Sequence, residues 1–262
     1  MIRRIWIAYT VEFPKALQRS QTFLGPALVM AAVMGAAFVC GVSTDGVSDY
    51  GYIAYVTPLA LNFLGFILLL IFCAGLLSQE MQSGSIRQVL VRPLYRHEYV
   101  LAKMLLGMTY AATLTILVAL GSWCIASALG ELTGVTYGGE LIYTKEEMRT
   151  AYVLGALLGL APQAAAVAYA VMFSALTRST VGAVSGAVGL WLLIDLVKHP
   201  LQIERFVFFS YIESPWQVFA GRCDAIDVSW FPMVWYCLGT SAASAVVCAG
   251  VAMLVMHLRS LS

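Results

Sequence analysis

Charge is scarce in this sequence. Only 11% of its 262 residues are Asp, Glu, Lys or Arg, whereas 61% are hydrophobic, and the mean hydropathy is +0.84. Soluble domains carry about 25% charged and about 45–50% apolar residues. The deficit excludes a soluble enzyme and a disordered chain alike. The six cysteines are too few and too scattered for a disulfide framework. A net charge of +1 gives no reason to expect a nucleic-acid partner. No Gly-Lys-Ser or Gly-Lys-Thr occurs, so the phosphate-cradling motif of an ATP-hydrolysing motor is missing. His97, His199 and His257 are far apart, and no Cys-x-x-Cys, His cluster or nucleophile–base pair is present. An intramembrane hydrolase and a metal site therefore have no positive support. Strand-type alternation is absent as well, which argues against a membrane barrel.

What is present is a series of charge-free runs. One is centred on 23–42, and a second has its apolar heart at 53–77. Two more lie between Lys103 and Glu131 and between Arg149 and Arg178. A shorter fifth covers 181–197, interrupted only by Asp195, and a sixth covers 232–256. A helix needs about 20 apolar residues to cross the hydrocarbon layer. The expectation is an all-α membrane protein with six transmembrane helices, forming one domain over 1–262. The first run is too long and starts too late for a cleaved signal peptide, and reads as a retained helix.

An even number of spans puts both termini on one side. That side carries ten Lys and Arg residues, from Arg3 and Arg4 through Arg87, Arg92, Arg96 and Lys103 to Arg259; the other carries five, among many acids. The bias places both termini in the cytoplasm of a plasma-membrane protein. At the amino terminus, Ile2, Ile5, Trp6, Tyr9 and Phe13 recur at helical spacing and Pro14 ends the pattern. Residues 1–20 read as an interfacial helix, or more simply as a basic tail.

The segment 78–103 joins the second and third spans. Ser85 and Gln88 have capping-box spacing, Ile86, Val89 and Leu90 form an apolar stripe, and Pro93 stops the turn. A short amphipathic helix of this kind needs an apolar partner or the lipid surface. On the other side, 130–150 is rich in Gly and acids and reads as a solvated cap. Residues 199–231 are dense in aromatics, among them Phe206, Phe208, Phe209, Tyr211, Trp216 and Phe219. They fit either short interfacial or re-entrant helices or an outward aromatic belt.

Glu80, Gly84-Ser85-Ile86, Leu90, Pro93, Arg96, Leu101 and Lys103 form a string that resembles the type-2 permeases of ATP-binding-cassette transporters. Ser85-Ile86 stands where that family usually has Thr-Leu, and Ala102 where Gly often precedes the Lys. The resemblance extends over the chain: an amino-terminal interfacial helix, six spans, and a membrane-dipping segment between spans five and six. It implies a homodimer or a pseudo-symmetric heterodimer of permeases, driven by a separate ATPase subunit that binds ATP and Mg. The contact would be a coupling helix carrying Glu80, Gly84, Ser85, Ile86, Val89, Leu90, Pro93 and Arg96. Most relatives are exporters; others transmit mechanical work, so a non-transporting membrane scaffold is the alternative.

Three polar residues inside the spans remain. Asn62 and Gln163, on helices that Pro58 and Pro162 could kink, would line a translocation path or simply bond neighbouring helices. Asp195 is the only acid within a span; with Lys198 and His199 nearby it reads as an interfacial ion pair, or else a proton relay. The Gly155–Gly159 and Gly182–Gly186 pairs permit close helix packing.

Overall fold

The computed structural model describes residues 2–40, 50–84, 95–130 and 132–259. Six helices among them are long and apolar enough to cross a membrane. In chain order the elements are α1 (Ile2–Leu17), α2 (Ser20–Cys40), α3 (Gly51–Gln82), α4 (Arg96–Leu129), strands β1 (Gly134–Tyr137) and β2 (Glu140–Thr144), and α5 (Lys145–Leu176). There follow α6 (Thr180–Val197), two short 3-10 turns at Glu204–Phe206 and Phe208–Tyr211, α7 (Ser214–Cys223) and α8 (Met233–Leu258). The six spans are α2, α3, α4, α5, α6 and α8. The protein is thus all-α apart from the hairpin, as the charge-free runs imply.

Helices α3 and α5 are the centre of the bundle. In each, 56% of the most apolar stretch is buried, against 11% in α8. Helix α5 packs on α3, α4, α6, α7 and α8, while α2 leans on α4. The large apolar side chains left exposed, such as Phe38, Leu120, Val181 and Val246, lie on the outer faces of the spans. For a chain dissolved in lipid, an apolar outer surface is the favourable one. Where α3 and α5 meet, Ser174 enters the backbone ladder of α3. Its Oγ accepts from the N–H groups of Leu77 and Ser78, both at 2.9 Å, and donates to the Ala74 carbonyl at 2.6 Å.

Three expectations are corrected. Pro14 does not end α1, which runs on to Leu17 with the proline inside. Pro14 cannot donate to the Thr10 carbonyl, but Thr10 is exposed and water can take that bond. The 130–150 segment is not merely a solvated cap. It folds as an antiparallel hairpin with Gly134 opposite Thr144 and a register shift after Val135. Its turn residues Gly138 and Gly139 both have positive φ (60° and 90°), which suits a tight hairpin turn and excludes most side chains. Leu132 and Val135 are buried, and Thr144 and Glu147 form a capping box at the start of α5. Finally, the aromatics of 199–231 are no outward belt. Phe208, Phe209, Tyr211, Trp216 and Phe219 are buried, and only Phe206 of that set stands free, 80% exposed. Helix α7 packs against α3 and α5.

The second span differs from a regular helix. A π-helical stretch, Leu59–Gly65, follows Pro58. Proline removes the donor that the Ala54 carbonyl would otherwise receive, and a widened turn is one way a helix absorbs such a loss. Asn62 sits in this stretch.

Candidate functional site

Among the described residues, two places bring charged side chains together with the residues singled out from the sequence. The first joins α1 to the facing ends of α3 and α4. Lys103, in the second turn of α4, lies 2.5 Å from Glu12 of α1 and 2.6 Å from Glu80 of α3. Tyr99, one turn before Lys103, donates its hydroxyl to Glu80, and the ammonium stands over its ring. Glu12, Glu80, Tyr99 and Lys103 are all at most 5% exposed. At the rim, Lys15 pairs with Glu12 at 2.6 Å and Arg19 donates to Gln79 at 2.6 Å. Burial raises the Glu12 carboxyl, but the ammonium groups of Lys103 and Lys15 outweigh it and hold the group below the usual carboxylate range.

The local sequence explains why α1 can sit so close. Only Ala8, Glu12 and Ala16 of α1 are buried. They are spaced by four and share one face, so two small residues flank the acid. The apolar stripe of Ile2, Trp6 and Phe13 is turned outward and exposed. Glu12 was not singled out from the sequence, where the stripe drew attention to the opposite face. The available signal was an isolated acid, the only one before Asp45, placed between alanines at helical spacing.

The same end of the bundle fastens the last helix. Arg96 donates to the carbonyls of Met256, His257 and Arg259 at 3.0, 3.1 and 2.9 Å, capping the end of α8. Arg259 in turn donates to the Ala175 carbonyl at 2.7 Å. Of the expected coupling residues, Glu80 and Arg96 therefore make contacts within this chain. Gly84 lies just past the end of α3 with φ +71°, and its N–H donates to the Met81 carbonyl at 3.3 Å. Ser85, Ile86, Val89, Leu90 and Pro93 lie outside the described residues.

The second place is a cavity of about 440 Å³ beside the π-helical stretch. Its walls come from α3, α6 and the Phe208–Cys223 region, and Asn62, Asp195, Lys198, Glu213 and Gln217 supply its polar atoms. The Asn62 Oδ1 is buried with no hydrogen-bond partner. Gln163 is elsewhere: it accepts from the Thr115 hydroxyl at 3.0 Å, in the interior between α4 and α5. The two candidates for a translocation path are thus not brought together. Asp195 pairs with Lys198 at 2.6 Å, and His199 pairs instead with Glu204. The glycine pairs pack within the bundle. A Cβ at Gly155 would meet the Pro215 carbonyl at 3.4 Å, and one at Gly186 would meet the Phe173 ring at 2.9 Å.

Six apolar helices and a buried ionic anchor for an amphipathic first helix define a multi-pass membrane protein. The family model described as ABC-2 family transporter protein matches residues 6–203, from α1 through the fifth span. The chain belongs to that family. A search of curated proteins finds no match.

Proposed function

We propose that this protein is the permease subunit of an ATP-driven exporter of the plasma membrane, moved by a separate ATPase that docks on 80–96. The ATPase holds ATP and Mg, and the permease works as a homodimer or a pseudo-symmetric heterodimer. Both termini and the docking segment face the cytoplasm. Family membership supports the membrane-subunit role. The single observation that carries the coupling is the Glu12–Lys103–Glu80 cluster. Glu80 is in the last turn of α3 and Lys103 in the second turn of α4, so the cluster spans both ends of the segment on which the motor would pull. Closure of the motor moves that segment, and the cluster carries the movement to α1, α3 and α4 together. Two discrete arrangements of these helices then expose the route to one side or the other.

Leu90→Asp tests the docking. It places a charge on the apolar stripe that the sequence gives this segment. The variant is expected to insert and to survive purification, but to lose the ATPase from the complex together with transport-linked ATP hydrolysis. Intact co-purification with unchanged hydrolysis would reject docking at this stripe.

A further inference from the structure

The cavity beside Asn62 has a chemical character of its own. Five aromatic side chains face it: Tyr55 and Phe63 from α3, Trp191 from α6, Phe209, and Trp216 from α7. Its charged groups are Asp195, Glu213 and Lys198. The Lys198 ammonium is matched by Asp195 at 2.6 Å. Glu213 has no ion-pair partner among the described residues, so the wall carries one surplus negative charge. Asn62 also lines the wall, with its Oδ1 turned into the protein and buried.

The geometry points to a lipophilic cation as the ligand of this cavity. Ring faces carry negative electrostatic potential and attract a cation; Trp191, Phe209 and Trp216 form the buried wall, while Tyr55, Phe63 and Glu213 are exposed at its open side. A carboxylate in the same wall supplies the long-range part of that attraction. An aliphatic chain would gain nothing from the carboxylates, and an amphiphilic anion would be repelled by the rings and by Glu213. The volume is that of a site for a drug-sized molecule rather than an inorganic ion. The assignment deepens the transport reading, because it names the cargo class of the path beside the π-helical stretch, but binding itself needs no motor.

The test is equilibrium binding of radiolabelled tetraphenylphosphonium to the purified full-length permease in detergent, without ATPase. Saturable binding is expected, weakened roughly tenfold by Glu213→Gln, the loss of one favourable charge contact. Phe63→Ala is expected to weaken it as well. Glu146→Gln, an exposed acid at the start of α5 and outside the cavity wall, is expected to leave it unchanged. Tetraphenylborate has the same shape and the opposite charge, and its binding should not fall in Glu213→Gln. Absence of saturable binding would overturn the assignment. So would equal losses in Glu213→Gln and Glu146→Gln, or displacement of the probe by neutral lipid at the same concentration. If binding follows the expected pattern but the cation leaves the activity of the assembled ATPase complex unchanged, the site stands and the transport reading fails. If transport is demonstrated while the cation does not bind, the converse holds.

Discussion

Lys103 is the residue on which the ionic cluster turns. Its side chain is among the largest that are fully buried, and two carboxylates share its ammonium. A buried ion pair is not in itself strong evidence for stability, since desolvation offsets most of the attraction. Removing one partner is a different matter, because the charges left behind have no compensation. Lys103→Met should lower stability by about 3–5 kcal/mol, read as a fall in the unfolding temperature of the purified protein. Adding Glu12→Gln and Glu80→Gln to the same variant should recover much of the loss. If Lys103→Met unfolds at the wild-type temperature, the cluster is not an anchor. The residues of this site were partly legible in the sequence. Glu80 and Lys103 stand out as charges beside apolar spans. Glu12 does not, because in a helix lying against lipid the apolar face points away from the protein and the informative residue is on the other side.

At the scale of elements, the spans follow from one physical requirement: a charge-free length long enough to cross hydrocarbon. That requirement placed all six, with ends moved by a few residues; the helix of the third span, for example, begins at Arg96 rather than after Lys103, where Tyr95 and Glu98 form its capping box. Features set by tertiary contact were not legible. The π-helical stretch depends on how the chain re-forms its ladder after Pro58, and the hairpin was hidden because composition suggested solvent exposure while Gly138-Gly139 specified a turn. Helix packing is equally specific. A Cβ at Gly107 of α4 would lie 2.6 Å from Val167 of α5 and 2.8 Å from the Cys73 sulfur of α3. Gly107→Ala must push these helices apart and should cost about 1–3 kcal/mol, measurable in the same unfolding experiment. An unchanged unfolding temperature would mean that the three helices do not meet this closely.

For the whole molecule, the end that holds both termini has a simple electrostatic plan. Its described acids are engaged internally: Glu12 and Glu80 on Lys103, and Glu98 on the Tyr95 N–H at 3.2 Å. Arg3 and Arg4 remain exposed, and Arg4 lies over the Tyr95 ring. Among the described residues the exposed charge beside the ends of α3 and α4 is therefore basic, and α3, α4, α1 and the end of α8 are tied together there. That plan makes sense for a membrane subunit worked from one side by another protein. The most direct measurement is a tagged purification of the chain from its native membrane in mild detergent, with mass spectrometry of what accompanies it. A stoichiometric partner carrying the Gly-Lys-Ser/Thr nucleotide-binding motif that this sequence lacks is expected. A complex that stays intact across several detergents without such a partner would contradict that expectation.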